Sequence, residues 1–341
     1  MRALVVRLSS IGDVVHNLPA LSALHRHGWE VDWLVEPPAR PLVEGNPLVA
    51  HAVGLPKARA LSLRLARETR AILKAAPLEV ALDFQGLWKS AFWARMSGAR
   101  RVIGYRRAER KEGLSALLMT ERVPGAAGAT HVIDKNLALL APLGIAASSR
   151  REFPLPASPQ ARAAVNAGLA ALGLAHFVVL NPGGGWAGKL WPPESFGVLA
   201  RELGGRAGAA VVTWGPGEEA LADRVVAASE GAAQKCFPTT LLDYLELARR
   251  ARLVVAGDTG PLHLACAVGT PVVALFGPTD PARNGPFAGD DVVVRRAPPC
   301  APCYRRGCPV HAGIMRSLPV EEVVAAAERR LQRVSEGQRA L

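Results

Sequence analysis

The chain has 341 residues, half of them apolar, and carries a formal net charge of +12. This length exceeds one ordinary core and points to about two domains, and the apolar share excludes a disordered chain. No run reaches the roughly 18 uninterrupted apolar residues of a membrane-spanning helix, and five cysteines do not make a disulfide scaffold at this size. Short apolar runs alternate with helical patterns from end to end, which predicts parallel sheets with crossover helices. Strands are expected at Ala3–Leu8, Val31–Val35, Ala52–Leu55, Val80–Phe84 and Arg101–Tyr105, with helices at Val14–His27 and Leu61–Ala75 between them. The segment Ile145–Pro159, with three serines, two arginines and three prolines, breaks the rhythm and reads as a linker. Alternation then restarts with strands at Phe177–Leu180, Ala210–Trp214, Leu253–Ala256, Val272–Phe276 and Val292–Arg295. Helices are expected at Ser195–Leu203, Glu218–Ser229, Leu241–Arg250 and Leu262–Val268, and an amphipathic segment, Val320–Val334, follows.

The fold class is therefore α/β, with two doubly wound parallel sheets facing a cleft. The expected domains are 1–155, 156–319 and a terminal helix, 320–341. The N-terminus reads as a strand with no secretory leader, so a cytoplasmic chain is expected. Charge is unevenly spread: residues 1–155 hold 22 basic and 13 acidic side chains, a net +9, against +3 for the remainder. Two stretches concentrate it. One comprises Lys57, Arg59, Arg64, Arg67, Arg70 and Lys74 on an expected helix, and the other Arg95, Arg100, Arg101, Arg106, Arg107, Arg110 and Lys111. Either the excess is general surface solubility or the first half meets something anionic.

In open α/β sheets ligands bind beyond the carboxyl ends of strands, so the strand-to-helix turns carry the functional information. The first runs Ser9-Ser10-Ile11-Gly12-Asp13 and lacks the three-glycine dinucleotide fingerprint. Asp13 there is either a helix-capping carboxylate or a base for an incoming hydroxyl. The second half opens with Asn181-Pro-Gly183-Gly184-Gly185-Trp186-Ala-Gly-Lys189-Leu-Trp-Pro192. Three glycines let the backbone approach a bulky anion, and Lys189 adds a point charge, although the spacing is not that of a Walker A loop. Gly257-Asp258-Thr259-Gly260-Pro-Leu-His263 begins another helix, whose free N–H groups suit a diphosphate. Taken singly, Thr259 reads as an N-cap and His263 as a core histidine. Glu218, after Trp214-Gly-Pro-Gly217, is placed to hold ribose hydroxyls. Cys300, Cys303, Cys308 and His311 have the count for a zinc knuckle but lack a second C-x-x-C pair, and no metal is assigned. Cys236 and Cys266 read as core residues.

Four strings carry a resemblance to the ADP-heptose:lipopolysaccharide heptosyltransferases, glycosyltransferase family 9. They are Arg7-Leu-Ser-Ser-Ile-Gly-Asp13-Val-Val-His16-Asn-Leu-Pro19, Asp83-Phe-Gln85-Gly86-Leu-Trp-Lys89-Ser90, Gly257–His263 and Phe276-Gly-Pro-Thr279-Asp280-Pro281. The first two are most similar to heptosyltransferase I, which adds the first heptose to Kdo. This resemblance implies a GT-B fold and an inverting enzyme without metal or other cofactor. The acceptor, Kdo on lipid A, belongs to the first domain and ADP-heptose to the second. By motif, Asp13 is the general base, and Ser10, Gly12, Gln85 and Lys89 lie on the acceptor side. Lys189 neutralises the leaving diphosphate. Gly184, Gly185, Glu218, Asp258, Thr259, Gly260 and His263 bind the donor. Hydroxyl residues usual before the lysine are replaced by Gly184 and Gly185, so only backbone N–H groups can serve there. The terminal helix is expected to cross back onto the first domain. The +9 half then suits an anionic inner-leaflet surface, at about 1 kcal/mol per well-placed basic side chain.

Of three rival readings, two make distinguishable demands. A dehydrogenase requires the glycine fingerprint, which is missing. A nucleic-acid binder requires aromatics interleaved with the basic residues, and aromatics total only 5%; no nucleic-acid partner is expected. A family relative with another donor sugar or acceptor has the same motifs.

Overall fold

The computed structural model describes residues 1–55, 63–73, 77–125, 128, 130–147, 150–204, 208–305 and 313–339. It divides into two compact units, Met1–Ala157 and Ser158–Leu341. The division lies within the predicted linker, where Ser158 caps a helix by accepting the Ala161 N–H at 3.1 Å.

The first unit contains β1 (Arg2–Val6), α1 (Ile11–Val15), α2 (Leu18–Arg26), β2 (Glu30–Val35), β3 (His51–Gly54) and α3 (Leu63–Leu73). It continues with β4 (Val80–Asp83), α4 (Trp88–Met96), β5 (Arg101–Tyr105), β6 (Glu121–Val123) and α5 (Val132–Ala138). Its six strands are all parallel, in the order β3-β2-β1-β4-β5-β6. The second unit holds α6 (Pro159–Ala171), β7 (Phe177–Asn181), α7 (Pro193–Leu203), β8 (Ala209–Val212), α8 (Glu219–Ala228) and β9 (Ala233–Lys235). After these come α9 (Leu241–Arg250), β10 (Leu253–Gly257), α10 (Gly260–Ala267), β11 (Val272–Phe276), α11 (Pro281–Asn284), β12 (Val292–Arg295) and α12 (Val320–Arg339). Its sheet is again all parallel, in the order β12-β11-β10-β7-β8-β9. Both sheets thus reverse direction beside their first strand, so the turns after β1 and β4, and after β7 and β10, open at switch points.

Helices on both faces leave the central strands no solvent side, which is why β1, β4, β7, β10 and β11 are buried along their whole length. Each unit has its own core. Leu4, Val6, Leu34, Ala81, Trp93 and Val102 pack in the first; Val178, Leu180, Trp191, Phe196, Val255 and Leu275 pack in the second.

Three expectations are revised. The helix expected at Val14–His27 is two helices: a new start follows Asn17 with Pro19 in its first turn, and α1 begins earlier, at Ile11. β6 and β9 were not anticipated, being three-residue strands at sheet edges with charged or polar members. The terminal helix, expected on the first domain, is instead part of the second unit. It packs on α7 and on β10–β12, with Val323, Ala326, Ala327 and Leu331 buried in the second core. Among the described residues no helix is long and apolar enough to cross a membrane.

Candidate active site

At the carboxyl edge of the first sheet, the chain leaving β1 is tied to the end of β4. The Leu8 N–H donates to the Gln85 side-chain oxygen at 2.7 Å, and buried Arg7 donates from one guanidinium nitrogen to the Phe84 carbonyl. Its other terminal nitrogen forms an ion pair with Asp13 Oδ1. Asp13 Oδ2 accepts both the N–H and the hydroxyl of Ser10, each at 3.0 Å. Asp13 is therefore a capping group and a charged partner of Arg7 at once, yet 39% of its side chain stays exposed. Burial pushes its carboxyl upward, but the Arg7 guanidinium and the Ser10 N–H outweigh it, with smaller help from His16 and the Ser10 hydroxyl. The result holds Asp13 at about 2, ionised throughout the neutral range.

Other first-half residues singled out in the sequence are committed to internal bonds. Gly12 is buried in α1. Gln85 spends its oxygen on Leu8, and the Lys89 ammonium pairs with the carboxylate of buried Glu36. Asp83 accepts the N–H groups of Gln85 at 3.1 Å and Gly86 at 3.3 Å, and it pairs with Arg110 in full burial. Of the basic stretches, Arg110 is consumed by that pair and Arg101 by Glu121 at 2.6 Å. Arg64, Arg67 and Arg70 are exposed on α3, with Arg64 3.0 Å from Glu68. Lys57, Arg59 and Lys74 lie outside the described residues.

In the second unit, the turns after β7, β8, β10 and β11 converge. Glu218, at the start of α8, accepts the Gly184 N–H at 2.8 Å and the Gly215 N–H at 3.1 Å, joining two turns through one carboxylate. A Cβ on Gly183 would stand 2.0 Å from Glu218 Oε2, so any side chain there displaces that carboxylate. A Cβ on Gly184 would stand 2.5 Å from the Thr259 methyl, so the glycine turn lies directly on the start of α10. Gly185 meets nothing within 4 Å and is open. Thr259 turns its hydroxyl to the Gly257 carbonyl at 3.2 Å, and Gly260 is the first residue of α10.

Asp258 is the electrostatic centre of this group. Its Oδ2 lies 2.5 Å from Lys189 Nζ and 2.7 Å from the Thr279 hydroxyl. Its Oδ1 lies 2.5 Å from Asn284 Nδ2 and 3.2 Å from His263 Nε2. Burial raises the Asp258 carboxyl, while His263 and Lys189 together lower it further, leaving it well below the usual carboxylate range. Lys189 Nζ also sits 4.6 Å from the Trp186 ring centre. Arg7, Thr279 and Asn284 are partners that sequence reasoning did not single out. Arg7 and Thr279 stood inside quoted motifs, whereas Asn284 carried no signal.

Cys236 and Cys266 are buried, and burial pushes the Cys236 thiol up to about 12. Cys300 and Cys303 are free, and Cys308 and His311 lie outside the described residues.

Chemically, the first unit presents an ionised, partly exposed carboxylate at a strand edge. The second presents a lysine, an exposed turn at Gly185 and the start of α10, the equipment for a polyanion.

The signature of glycosyltransferase family 9 (heptosyltransferase) matches residues 66–312. Lipopolysaccharide heptosyltransferase 1 of Pseudomonas aeruginosa is 32% identical over 320 residues, spanning 90% of this chain and 87% of that protein. Lipopolysaccharide heptosyltransferase 3 of Escherichia coli is 26% identical, spanning 94% of this chain and 95% of its own. Among solved structures, E. coli heptosyltransferase WaaC with ADP superposes with a TM-score of 0.75 at 24% identity, covering 97% of this chain and all of that one. The two parallel sheets are accordingly those of a GT-B fold, and the chain belongs to glycosyltransferase family 9, the heptosyltransferases.

Proposed function

We propose that this glycosyltransferase moves L-glycero-D-manno-heptose from ADP-heptose to Kdo of a lipid A–Kdo acceptor in the lipopolysaccharide inner core, with inversion at the anomeric carbon. The observation that carries this reading is the 32% identity to a lipopolysaccharide heptosyltransferase 1 across 90% of the chain. Asp13 takes the proton of the acceptor hydroxyl, and Ser10, Gly12, Gln85 and Lys89 shape the acceptor side. Because Asp13 Oδ2 is held by the exposed, rotatable Ser10 hydroxyl as well as its N–H, an incoming hydroxyl can replace the Ser10 hydroxyl without disturbing the Arg7 pair. As the bond from the anomeric carbon to the diphosphate breaks, negative charge develops on the departing ADP. Lys189 and the first N–H groups of α10, at Gly260, meet that charge, so no divalent cation is needed. Gly185 offers a backbone N–H group and Gly184 one that the donor must take over from Glu218, Glu218 faces the ribose, and Asp258 with His263 holds the sugar. The exposed Arg64, Arg67 and Arg70 favour the anionic, cytoplasmic face of the inner membrane, where the lipid-borne acceptor sits.

Product analysis tests this reading. Purified enzyme is given ADP-heptose with Kdo2-lipid A, with an acceptor already carrying one heptose, or with other sugar nucleotides, each with and without EDTA. Heptose transfer to Kdo, unaffected by chelator, is the expected result. Transfer only to the heptosylated acceptor, or only from another nucleotide sugar, assigns the chain a different step. Loss of activity in EDTA with recovery in Mg²⁺ overturns the metal-free account.

A further inference from the structure

Large apolar side chains are seldom left in water together, and scattered single ones need no explanation. In the first unit three are grouped. Trp88 is 42% exposed, Leu114 51% and Leu117 69%. Trp88 opens α4, while Leu114 and Leu117 belong to a 3-10 turn, Gly113–Leu118, that packs on α4. The two elements are stitched by the Trp88 N–H, which donates to the Glu112 carboxylate, and by the Glu112 N–H, which donates to the Gly86 carbonyl at 3.2 Å.

The 3-10 turn is built inside out. With three residues per turn, positions 114 and 117 project to the same side. That side faces solvent, whereas small Ser115 and Ala116 are buried. Ser115 is fixed there by Arg110 Nε at 2.7 Å. A turn that served only its own core would put the leucines inward.

Exposed Arg106, Arg107 and Lys111 precede the turn, and Arg107 lies against Gly113, whose Cβ would come within 3.0 Å of Arg107 Cγ. The neighbouring acids, Glu109 and Glu112, accept backbone N–H groups of Gly125 and Trp88. The position is also telling: Trp88 lies three residues after Gln85, whose side chain holds Leu8 at the strand edge that carries Asp13.

We propose that Trp88, Leu114 and Leu117 form a foot that enters the headgroup layer of an anionic bilayer, with Arg106, Arg107 and Lys111 against lipid phosphates. The foot brings the carboxyl edge of the first sheet to membrane level. An indole at the interface, leucines below it and basic groups around them is the arrangement an interfacial anchor requires. The charge of residues 1–155, +9 in total, supplies long-range attraction, and the foot supplies the contact that outlasts salt. This placement rests on the reading that the acceptor is lipid-borne.

The test uses the full chain and vesicles of phosphatidylcholine with 30–50% phosphatidylglycerol (about that range, chosen to mimic an anionic leaflet). Leu114→Ser/Leu117→Ser should lower partitioning by about tenfold or more, as removal of two half-exposed leucines from an apolar phase implies. The loss should persist in high salt. In brominated-lipid vesicles, tryptophan quenching should be seen in wild type and diminish in Trp88→Phe. Turnover on a deacylated, water-soluble Kdo acceptor should be unchanged in the leucine variant, while KM for vesicle-embedded acceptor rises. Equal vesicle partitioning by wild type and the leucine variant, with both shown folded by thermal unfolding, overturns the foot. Absence of heptose transfer from every enzyme on the soluble acceptor overturns the functional reading instead, and leaves the partitioning result to decide the foot.

Discussion

Replacing Asp13 by Asn separates the chemical role of this side chain from its structural one. An amide oxygen still accepts the Ser10 N–H, so the cap alone predicts a change of a few tenths of a kcal/mol. The Arg7 pair changes that estimate. The Arg7 side chain is 7% exposed, and in the variant its cation keeps the Phe84 carbonyl but loses its counter-charge. Breaking a fully buried pair costs about 3–5 kcal/mol, and discounting for the partial exposure of Asp13 leaves about 1–2 kcal/mol. Thermal unfolding of the variant should therefore shift down by roughly 2–8 °C, taking about 2–4 °C per kcal/mol. Catalysis should fall much further: loss of a general base lowers kcat about 10²–10⁴-fold, or roughly 2.7–5.4 kcal/mol at 1.36 per decade. ADP-heptose binding by calorimetry should hold. Since Asp13 sits at about 2, below its ordinary 3.8, its stabilising contribution is complete above about pH 4 and is lost as pH falls through 2. The wild-type rate should accordingly show no acid limb from Asp13 between pH 5 and 8, a window this low value implies. A folded Asp13→Asn enzyme with kcat within a few-fold of wild type would refute the assignment and leave Asp13 as a cap and counter-ion.

Lys189→Ala should lower kcat by about 10²–10³, because it removes charge at the developing diphosphate, and steady-state turnover of ADP-heptose checks it. An unchanged kcat would remove Lys189 from the chemistry. Gly183→Ala drives a Cβ into Glu218 and should cost about 1–3 kcal/mol in stability and raise the donor KM, whereas Gly185→Ala, with open space around it, should leave unfolding unchanged. Equal behaviour of the two alanine variants in thermal unfolding and donor titration would show that the Glu218 bridge does not shape the turn.

The sheets were legible because crossover helices bury parallel strands on both faces and so leave continuous apolar runs. Ala3–Val6 and Val272–Phe276 are such runs. Edge strands such as Glu121–Val123 have no such constraint and left no run to find. The break between α1 and α2 was written in Pro19, but the apolar pattern passes through it. Turns after central strands were also legible, since glycine and charge at a strand end are local signals. What could not be read was partnership. Arg7 reaches Asp13 six residues on, and Asp258 gathers Thr279 and Asn284 from 21 and 26 residues away; no period connects them. In α12 the stripe Val323, Ala326, Ala327 and Leu331 announces one apolar face, yet the pattern does not say which core receives it.

The pairing of Lys189 with Asp258 makes the resting second unit an ion exchanger already loaded with its own anion. On the proposed reading a diphosphate approaching Lys189 competes with a carboxylate 2.5 Å away, so its affinity would be a difference between two pairings rather than the strength of one. The exchange is not wasted. When Lys189 turns to phosphate, Asp258 Oδ2 keeps the Thr279 hydroxyl and gains an open lone pair, while Oδ1 stays fixed by Asn284 and His263. A sugar hydroxyl can then take the place the ammonium vacated. Under the proposed donor, arrival of one end of the nucleotide sugar thus unmasks the acceptor atom for the other end. On that reading a bare hexose or heptose meets that atom occupied, and the site should discriminate against free sugar without any steric barrier.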